Sequence, residues 1–342
     1  MHVGMYATTH GLMYRDNTNA FLRSMSASAL QPVRIARLIE QLGFHSMWFP
    51  DHVCMPLQSA SEHVANTSGQ RAYESHHVML DAAVTMGAVA VSTNRLKLGT
   101  SVLISPYRHP LSDARQFATV DHLSNGRLLF GVGAGWMREE FAAIGVPYEG
   151  RGPRTDECIE IYKRSWTQEV VSFHGRFYQF DNVSMDPKPV QLPHPPIIYG
   201  GVTPGGARRA IRYCDGFYPI FLDTYADPSR YADLQDVIRR EAEKLKRDVS
   251  RFSMIGVASA RLTAADASEA QAKPRRICTG TSGQVLDDLV RFADAGYSLV
   301  ILFFDCPSGQ VAELEEQIQR CGQEVIPHAG QITPKGGWNT EL

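Results

Sequence analysis

The chain has 342 residues with 34 Lys+Arg against 36 Asp+Glu, a formal net charge of −2, which excludes a broad polyanion-binding surface and favours a small-molecule partner over nucleic acid. Apolar residues at 44% and charged residues at 20% match a globular chain, and the 28 Gly and 19 Pro follow no period, so pervasive disorder and collagen-like structure are excluded. The longest apolar runs, such as Leu299 to Phe304, fall far short of the roughly 20 residues that cross a bilayer. The start Met1-His2-Val3-Gly4-Met5 has neither a basic n-region nor a long apolar h-region, so a soluble, cytoplasmic protein without membrane contact is expected. Six scattered cysteines (Cys54, Cys158, Cys214, Cys278, Cys306, Cys321) form no C-x-x-C pair, which argues against a zinc knuckle or disulfide framework and for reduced thiols.

In chain order, short β-branched or aromatic runs bounded by turn residues predict strands at His2 to Tyr6, Ser46 to Phe49, Leu96 to Val102 and Leu128 to Val132. Four more follow at Ile197 to Tyr199, Phe217 to Ile220, Phe252 to Ala258 and Ser298 to Phe304, several continuously apolar as doubly buried strands must be. Helix-period segments alternate with them. In Gln31 to Leu42 the residues Ile35, Leu38, Ile39 and Leu42 share one face, and Gly43 supplies the stop. The same reasoning predicts helices at Val78 to Ser92, Ser112 to Leu123, Thr155 to Trp166, Gly206 to Tyr213, Pro228 to Lys246, Gln284 to Ala295 and Gln310 to Val325. Strand then helix, repeated eight times, implies a parallel α/β sheet closed into a (β/α)8 TIM barrel, one domain over residues 1–342.

The length beyond about 250 residues falls into three expected insertions, near residues 54–77, 168–196 and 259–282. The first and third directly follow strands, where βα loops build active sites, and are candidate substrate walls or lids. The middle one contains Val171 to Phe180 around His174-Gly175, a predicted hairpin, then Pro187, Pro189, Pro193, Pro195 and Pro196, which favour extended chain.

Four stretches can carry chemistry. Asp51-His52 stands just past the second strand, where an imidazole can pass a proton to or from a carbonyl or alcohol while the carboxylate orients it or binds a cofactor; a solvated loop pair is the alternative. Leu98 to Pro110 brings small polar, aromatic and basic groups, among them Tyr107 and His109, above the third strand, or is an ordinary βα loop. Gly131-Val132-Gly133-Ala134-Gly135-Trp136 lets backbone approach a planar or phosphorylated ligand, or packs tightly on a helix. It lacks the spacing of a dinucleotide fingerprint. Gly200-Gly201-Val202-Thr203 opens a helix whose free N–H groups suit a phosphate, and Thr203 can cap that helix as well. Neither H-x-H nor H-E-x-x-H occurs, so no metal site is expected, and no G-x-S-x-G elbow is present.

These stretches, with Pro106 to Pro110, Gly126-Arg127-Leu128, Glu139-Glu140-Phe141, Arg151 to Glu157, Pro187 to Gln191 and Pro195-Pro196-Ile197, resemble the bacterial luciferase-like monooxygenase family over nearly the whole chain. The likeness is greatest to its deazaflavin F420-dependent branch. That resemblance implies a (β/α)8 barrel, an F420-dependent oxidoreductase moving hydride to or from a small organic substrate (alcohol/carbonyl or activated alkene), and FMN as the alternative cofactor of a monooxygenase using reduced flavin and O2. It implies a cofactor contact at Asp51, proton transfer at His52, and a non-prolyl cis peptide at Ser101-Val102 beneath the cofactor ring. Gly133, Ala134 and Gly135, with Gly200, Gly201, Val202 and Thr203, match segments along the phosphate-bearing chain.

One departure concerns Trp136, where the family's sugar-phosphate dehydrogenase has Glu. The same catalytic acid is therefore not expected, and Trp136 joins Tyr107 and His109 as a candidate substrate-pocket residue, or packs in the rim. A homodimer and a separate cofactor reductase are family-level expectations. A non-catalytic flavin-binding barrel and a metal-dependent barrel hydrolase are the readings of other classes.

Overall fold

Continuous apolar runs become strands buried on both faces, the condition that a helix-wrapped parallel sheet imposes. The computed structural model describes residues 1–15, 20–62, 73, 76–221 and 227–342. Its eight main strands are β1 (His2–Tyr6), β2 (Ser46–Phe49), β3 (Lys97–Thr100), β4 (Leu128–Gly133), β5 (Ile197–Gly200), β6 (Gly216–Tyr218), β7 (Ser253–Leu262) and β8 (Leu299–Phe304). Each pairs in parallel with the next, and β8 returns to β1 through His2 opposite Leu299 and Met5 opposite Leu302. The result is the closed (β/α)8 barrel that the alternation of elements predicts.

The wrapping helices are α1 (Pro32–Gln41), α2 (Ala82–Ala90), α3 (Pro110–Ser124), α4 (Arg151–Thr167), α5 (Pro204–Tyr213), α6 (Ala232–Leu245), α7 (Ser282–Asp294) and α8 (Val311–Glu324). Their bounds follow capping chemistry. The Asp81 side chain accepts from the Val84 amide at 2.9 Å, so α2 starts at Ala82 and not at the predicted Val78. A reciprocal Thr281–Gln284 capping box opens α7. Ile35 and Ile39 of α1, Met86 and Val89 of α2, Phe117 of α3 and Tyr162 of α4 are fully buried against the strands, each contributing roughly 1.5–3 kcal/mol. Inside the barrel Trp48, Leu129, Ile198, Ile255, Leu299 and Ile301 form a second cluster. The Trp48 indole donates to Ser46 Oγ at 2.8 Å and stacks on Tyr218 at 5.8 Å, plugging the barrel beneath its mouth.

Several bounds differ from expectation. The third strand stops at Thr100, because the chain turns at a cis Ser101-Val102 bond and resumes pairing with β4 only at Leu103–Ile104. Strand β7 runs to Leu262 because Arg261 and Leu262 find partners in Thr279 and Gly280, which draws residues 259–262 out of the expected third insertion. The expected hairpin is present as Val170–His174 against Gln179–Ser184. Among the elements not expected are an antiparallel pair, Leu12–Arg15 with Ala20–Arg23, and a short helix, Arg138–Ala143. Half of the expected first insertion, residues 63–72 and 74–75, lies outside the described residues. Among the described residues no helix is long and apolar enough to cross a membrane.

Candidate active site

In a parallel barrel the loops after the strands share one face, so residues just past each strand converge there whatever their separation in sequence. That face holds a cavity of about 550 Å³, within the range of small-ligand sites. Its wall includes Asp51 and His52 after β2, Ser101 and Val102 after β3, Gly133 to Trp136 at the end of β4, and Gly200 to Thr203 after β5. The structure thus brings every predicted site residue except Tyr107 and His109 to one hollow.

His52 is held from below. Its Nδ1 lies 2.6 Å from Glu140 Oε2, and the two side chains are 6% and 0% exposed, so the contact is shielded from solvent. The same carboxylate accepts from Tyr107 Oη at 2.8 Å and from the Val53 and Cys54 amides at 2.7 and 3.2 Å. Burial opposes ionisation of Glu140, but the hydrogen bonds from His52, Tyr107 and the Val53 amide outweigh it and hold the carboxyl below its ordinary range. Neighbouring Glu139 accepts from Ser59, Ser61 and the Ala60 amide; these bonds overcome its own burial and bring its pKa down to about 2. Two successive glutamates on the short helix therefore pin the loop that carries His52.

Asp51 has a different environment. Its carboxylate takes a bidentate pair from Arg108, at 2.8 and 2.6 Å, and a third bond from the Ile104 amide at 3.1 Å. With its oxygens engaged and its side chain 1% exposed, Asp51 ties the loop after β2 to the loop after β3.

The Ser101-Val102 turn forms a floor. Tyr6 Oη donates to the Ser101 carbonyl at 3.1 Å, and Ser101 Oγ lies 2.5 Å from Tyr218 Oη. Burial raises the Tyr6 phenol to about 12, so it stays a neutral donor. A Cβ at Gly133 or Gly200 would lie 2.6 or 2.7 Å from a Val102 methyl carbon. Tight packing on Val102 thus accounts for these two glycines, and the backbone they leave uncovered still faces the cavity.

At the opposite wall Thr203 caps α5, accepting from the Gly206 amide at 3.1 Å. Arg151 sits above the Tyr148 ring at 3.8 Å and donates to the Gly135 carbonyl at 3.1 Å, with no ion pair among the described residues. Arg209, also in the wall, is paired with Asp156.

Two placements are corrected. Tyr107 does not line the cavity: its ring packs edge-on to Phe141 at 4.8 Å and its hydroxyl is spent on Glu140. His109 turns outward, accepts from the Leu111 amide at the start of α3, and meets the Tyr178 ring edge-on at 5.4 Å. Trp136 does line the cavity, perpendicular to His52 with ring centroids 6.4 Å apart.

Glu140, Arg108, Tyr6 and His10 were given no site role from the sequence, although Glu140 and Arg108 lie in stretches that carry the family resemblance. His10 is 1% exposed, lies in the cavity wall four residues past β1, and has an unpartnered Nδ1; burial, with His77 and His52 nearby, keeps it neutral. Its place past the end of a strand was the available signal. The signal for Glu140 was an acidic pair one helical turn after Trp136.

A family model described as luciferase-like monooxygenase matches residues 1–319. An uncharacterised protein of Mycobacterium tuberculosis is 33% identical over 193 residues, 56% of this chain and 68% of that protein. The FMNH2-dependent dimethylsulfone monooxygenase of Pseudomonas putida is 32% identical over 188 residues, 54% of this chain and 47% of the enzyme. Among solved structures, an F420-dependent secondary alcohol dehydrogenase in complex with an F420-acetone adduct has a TM-score of 0.70 at 19% identity, covering 93% of this chain and 98% of that one, a likeness of fold. With a family model spanning residues 1–319 and the barrel-mouth geometry described above, this chain belongs to the luciferase-like monooxygenase family.

Proposed function

We propose that this protein is an F420-dependent oxidoreductase acting on a small alcohol/carbonyl pair or an activated alkene at the barrel mouth. The residues present fit such a coenzyme. Ser101 and Val102 offer a floor for a planar ring, the uncovered backbone of Gly133 to Gly135 and Gly200 to Thr203 forms two collars, and Arg151 supplies a cation with no ion pair among the described residues. When bound, a deazaflavin supplies a two-electron hydride acceptor or donor. The protein supplies orientation, and His52 takes the hydroxyl proton of an alcohol or returns it to a carbonyl. Asp51 serves by fixing the loop of His52 through Arg108. Trp136, with Met13, Leu22 and Phe303 in the same wall, gives the substrate side an apolar and aromatic character.

The observation that carries this reading is one cavity walled at once by His52, the Ser101-Val102 turn and both collars. Its test is equilibrium titration of the purified protein with F420 and with FMN. Micromolar binding of F420, tighter than that of FMN, is expected; a folded protein that binds neither contradicts the proposal. An FMN-dependent monooxygenase using reduced flavin and O2 is the second reading, favoured by the 32% identity to the Pseudomonas putida enzyme. Cofactor binding without turnover on any substrate of a broad panel would leave a non-catalytic flavin-binding barrel.

We also place the protein in the cytoplasm, where its six unpaired cysteines suit a reducing compartment. A second copy is proposed against the face of α2, where Val84 and, at the residue that ends the helix, Val91 are 75% and 66% exposed. Light scattering reads that state directly.

A further inference from the structure

The carboxylate of Glu140 meets four groups that come to it with hydrogens. The amides of Val53 and Cys54 can only donate to Oε1, and Tyr107 Oη donates to Oε2. The fourth is His52 Nδ1, 2.6 Å from Oε2. A carboxylate has about four lone-pair sites and, when ionised, accepts only. A protonated Glu140 would have to aim its own hydrogen at one of three obligate or engaged donors, or at His52. The ionised form satisfies all four contacts at once. His52 must then carry its hydrogen on Nδ1, and a neutral ring leaves Nε2 as a bare lone pair. Among the described residues Nε2 has no hydrogen-bond partner, and His52 belongs to the cavity wall.

We propose that Glu140 is a positioning residue that locks His52 in its Nδ1–H tautomer and so makes Nε2 the proton acceptor facing the substrate. The inference rests on the oxidoreductase reading above and deepens it, because it assigns the ring nitrogen that works and the group that selects it. The Oε1 contacts hold the loop backbone while the Oε2 contacts hold the ring, so one side chain fixes both where His52 stands and which tautomer it adopts. When Nε2 takes a proton from a substrate hydroxyl, the ring becomes an imidazolium and its new positive charge meets the Glu140 carboxylate. The arrangement therefore stabilises the ring in the state reached when an alcohol has given up its proton, which is also the state from which a carbonyl is protonated. Without a carboxylate there, the Nε2–H tautomer is open to the ring, and that form cannot accept a proton at the cavity face.

Glu140→Gln tests this with little change of shape. Its amide oxygen can still accept from the Val53 and Cys54 amides, while its NH2 donates to Nδ1 and forces the hydrogen onto Nε2. The measurement is long-range 1H–15N NMR of the full chain labelled with 15N-histidine, without cofactor and above the titration range of imidazole, with His52→Gln to assign the signal. The expected result is an Nδ1–H ring in the wild type and an Nε2–H ring in Glu140→Gln, with kcat about 10–100-fold lower and KM nearly unchanged. An Nε2–H ring in the wild type overturns the proposal, as does an unchanged tautomer in the variant, or a reversed tautomer with full kcat. If Glu140→Gln does not fold, the wild-type spectrum alone decides. Because the spectra need no cofactor, a protein that binds neither F420 nor FMN contradicts the oxidoreductase reading separately from the tautomer.

Discussion

Two carboxylates hold the loop of His52 at the cavity, Asp51 in its wall and Glu140 behind it, and they are used differently. Asp51 faces a guanidinium and an amide, both permanent donors, so its charge is fully matched and nothing is left to exchange. Glu140 faces two amides, a phenol and an imidazole, and the imidazole passes on what the carboxylate does through its second nitrogen. Adjacent residues in the sequence, Asp51 and His52, thus end in opposite states: one is a finished ion pair and the other a ring with an open end. A titratable group is available for chemistry only when its partners leave a site unfilled.

The largest effect is expected where the open ring is removed. His52→Ala is expected to lower kcat by about 10²–10⁴-fold while cofactor affinity, read by titration, stays near the wild-type value; the opposite pattern would make His52 a binding residue. Next comes the finished pair. Arg108→Met leaves the Asp51 carboxylate buried with only the Ile104 amide, and urea unfolding should show a loss of roughly 3 kcal/mol. A smaller effect is expected at the floor between the two clusters. Gly133→Ala puts a Cβ 2.6 Å from a Val102 methyl carbon, and the overpacking should cost about 1–3 kcal/mol, seen as a lower denaturation midpoint together with weaker cofactor binding.

A pH dependence comes from a third carboxylate, which is neither matched nor relayed. Asp113 is fully buried, its Oδ1 has no partner, and Tyr162 Oη donates to its Oδ2 at 2.9 Å. Burial lifts it to about 7, against about 3.9 when unfolded. Between those values the folded chain keeps a proton that the unfolded chain has released, so this group's contribution is complete below about pH 4 and is lost as the pH rises to about 7. Asp113→Asn should therefore raise the melting temperature relative to wild type at pH 8 and leave the difference near zero at pH 4. Equal shifts at both pH values would contradict that sign.

The barrel was legible because its strands are buried on both faces, which writes them as unbroken runs such as Leu299 to Phe304. The pair Leu12–Arg15 and Ala20–Arg23 was not, since its four-residue strands mix apolar and basic residues and fit no clear period. Site positions that lie directly after strands, from His52 to Thr203, were legible for the same topological reason. The partners of those positions were not. His52 and Glu140 stand 88 residues apart and Asp51 and Arg108 stand 57 apart, and no local pattern specifies which distant side chain fills a given lone pair. Tyr107 and His109 were misplaced because position along a loop does not say which way a ring turns.

The coenzyme site at the barrel mouth is the claim on which the rest depends, and a crystal structure of the protein with F420 bound tests it most directly. The ring is expected against Ser101 and Val102, the phosphate-bearing chain along Gly133 to Gly135 and Gly200 to Thr203, and His52 Nε2 facing the open side of the ring. A coenzyme bound elsewhere on the barrel, or a mouth closed by its own side chains, would contradict it.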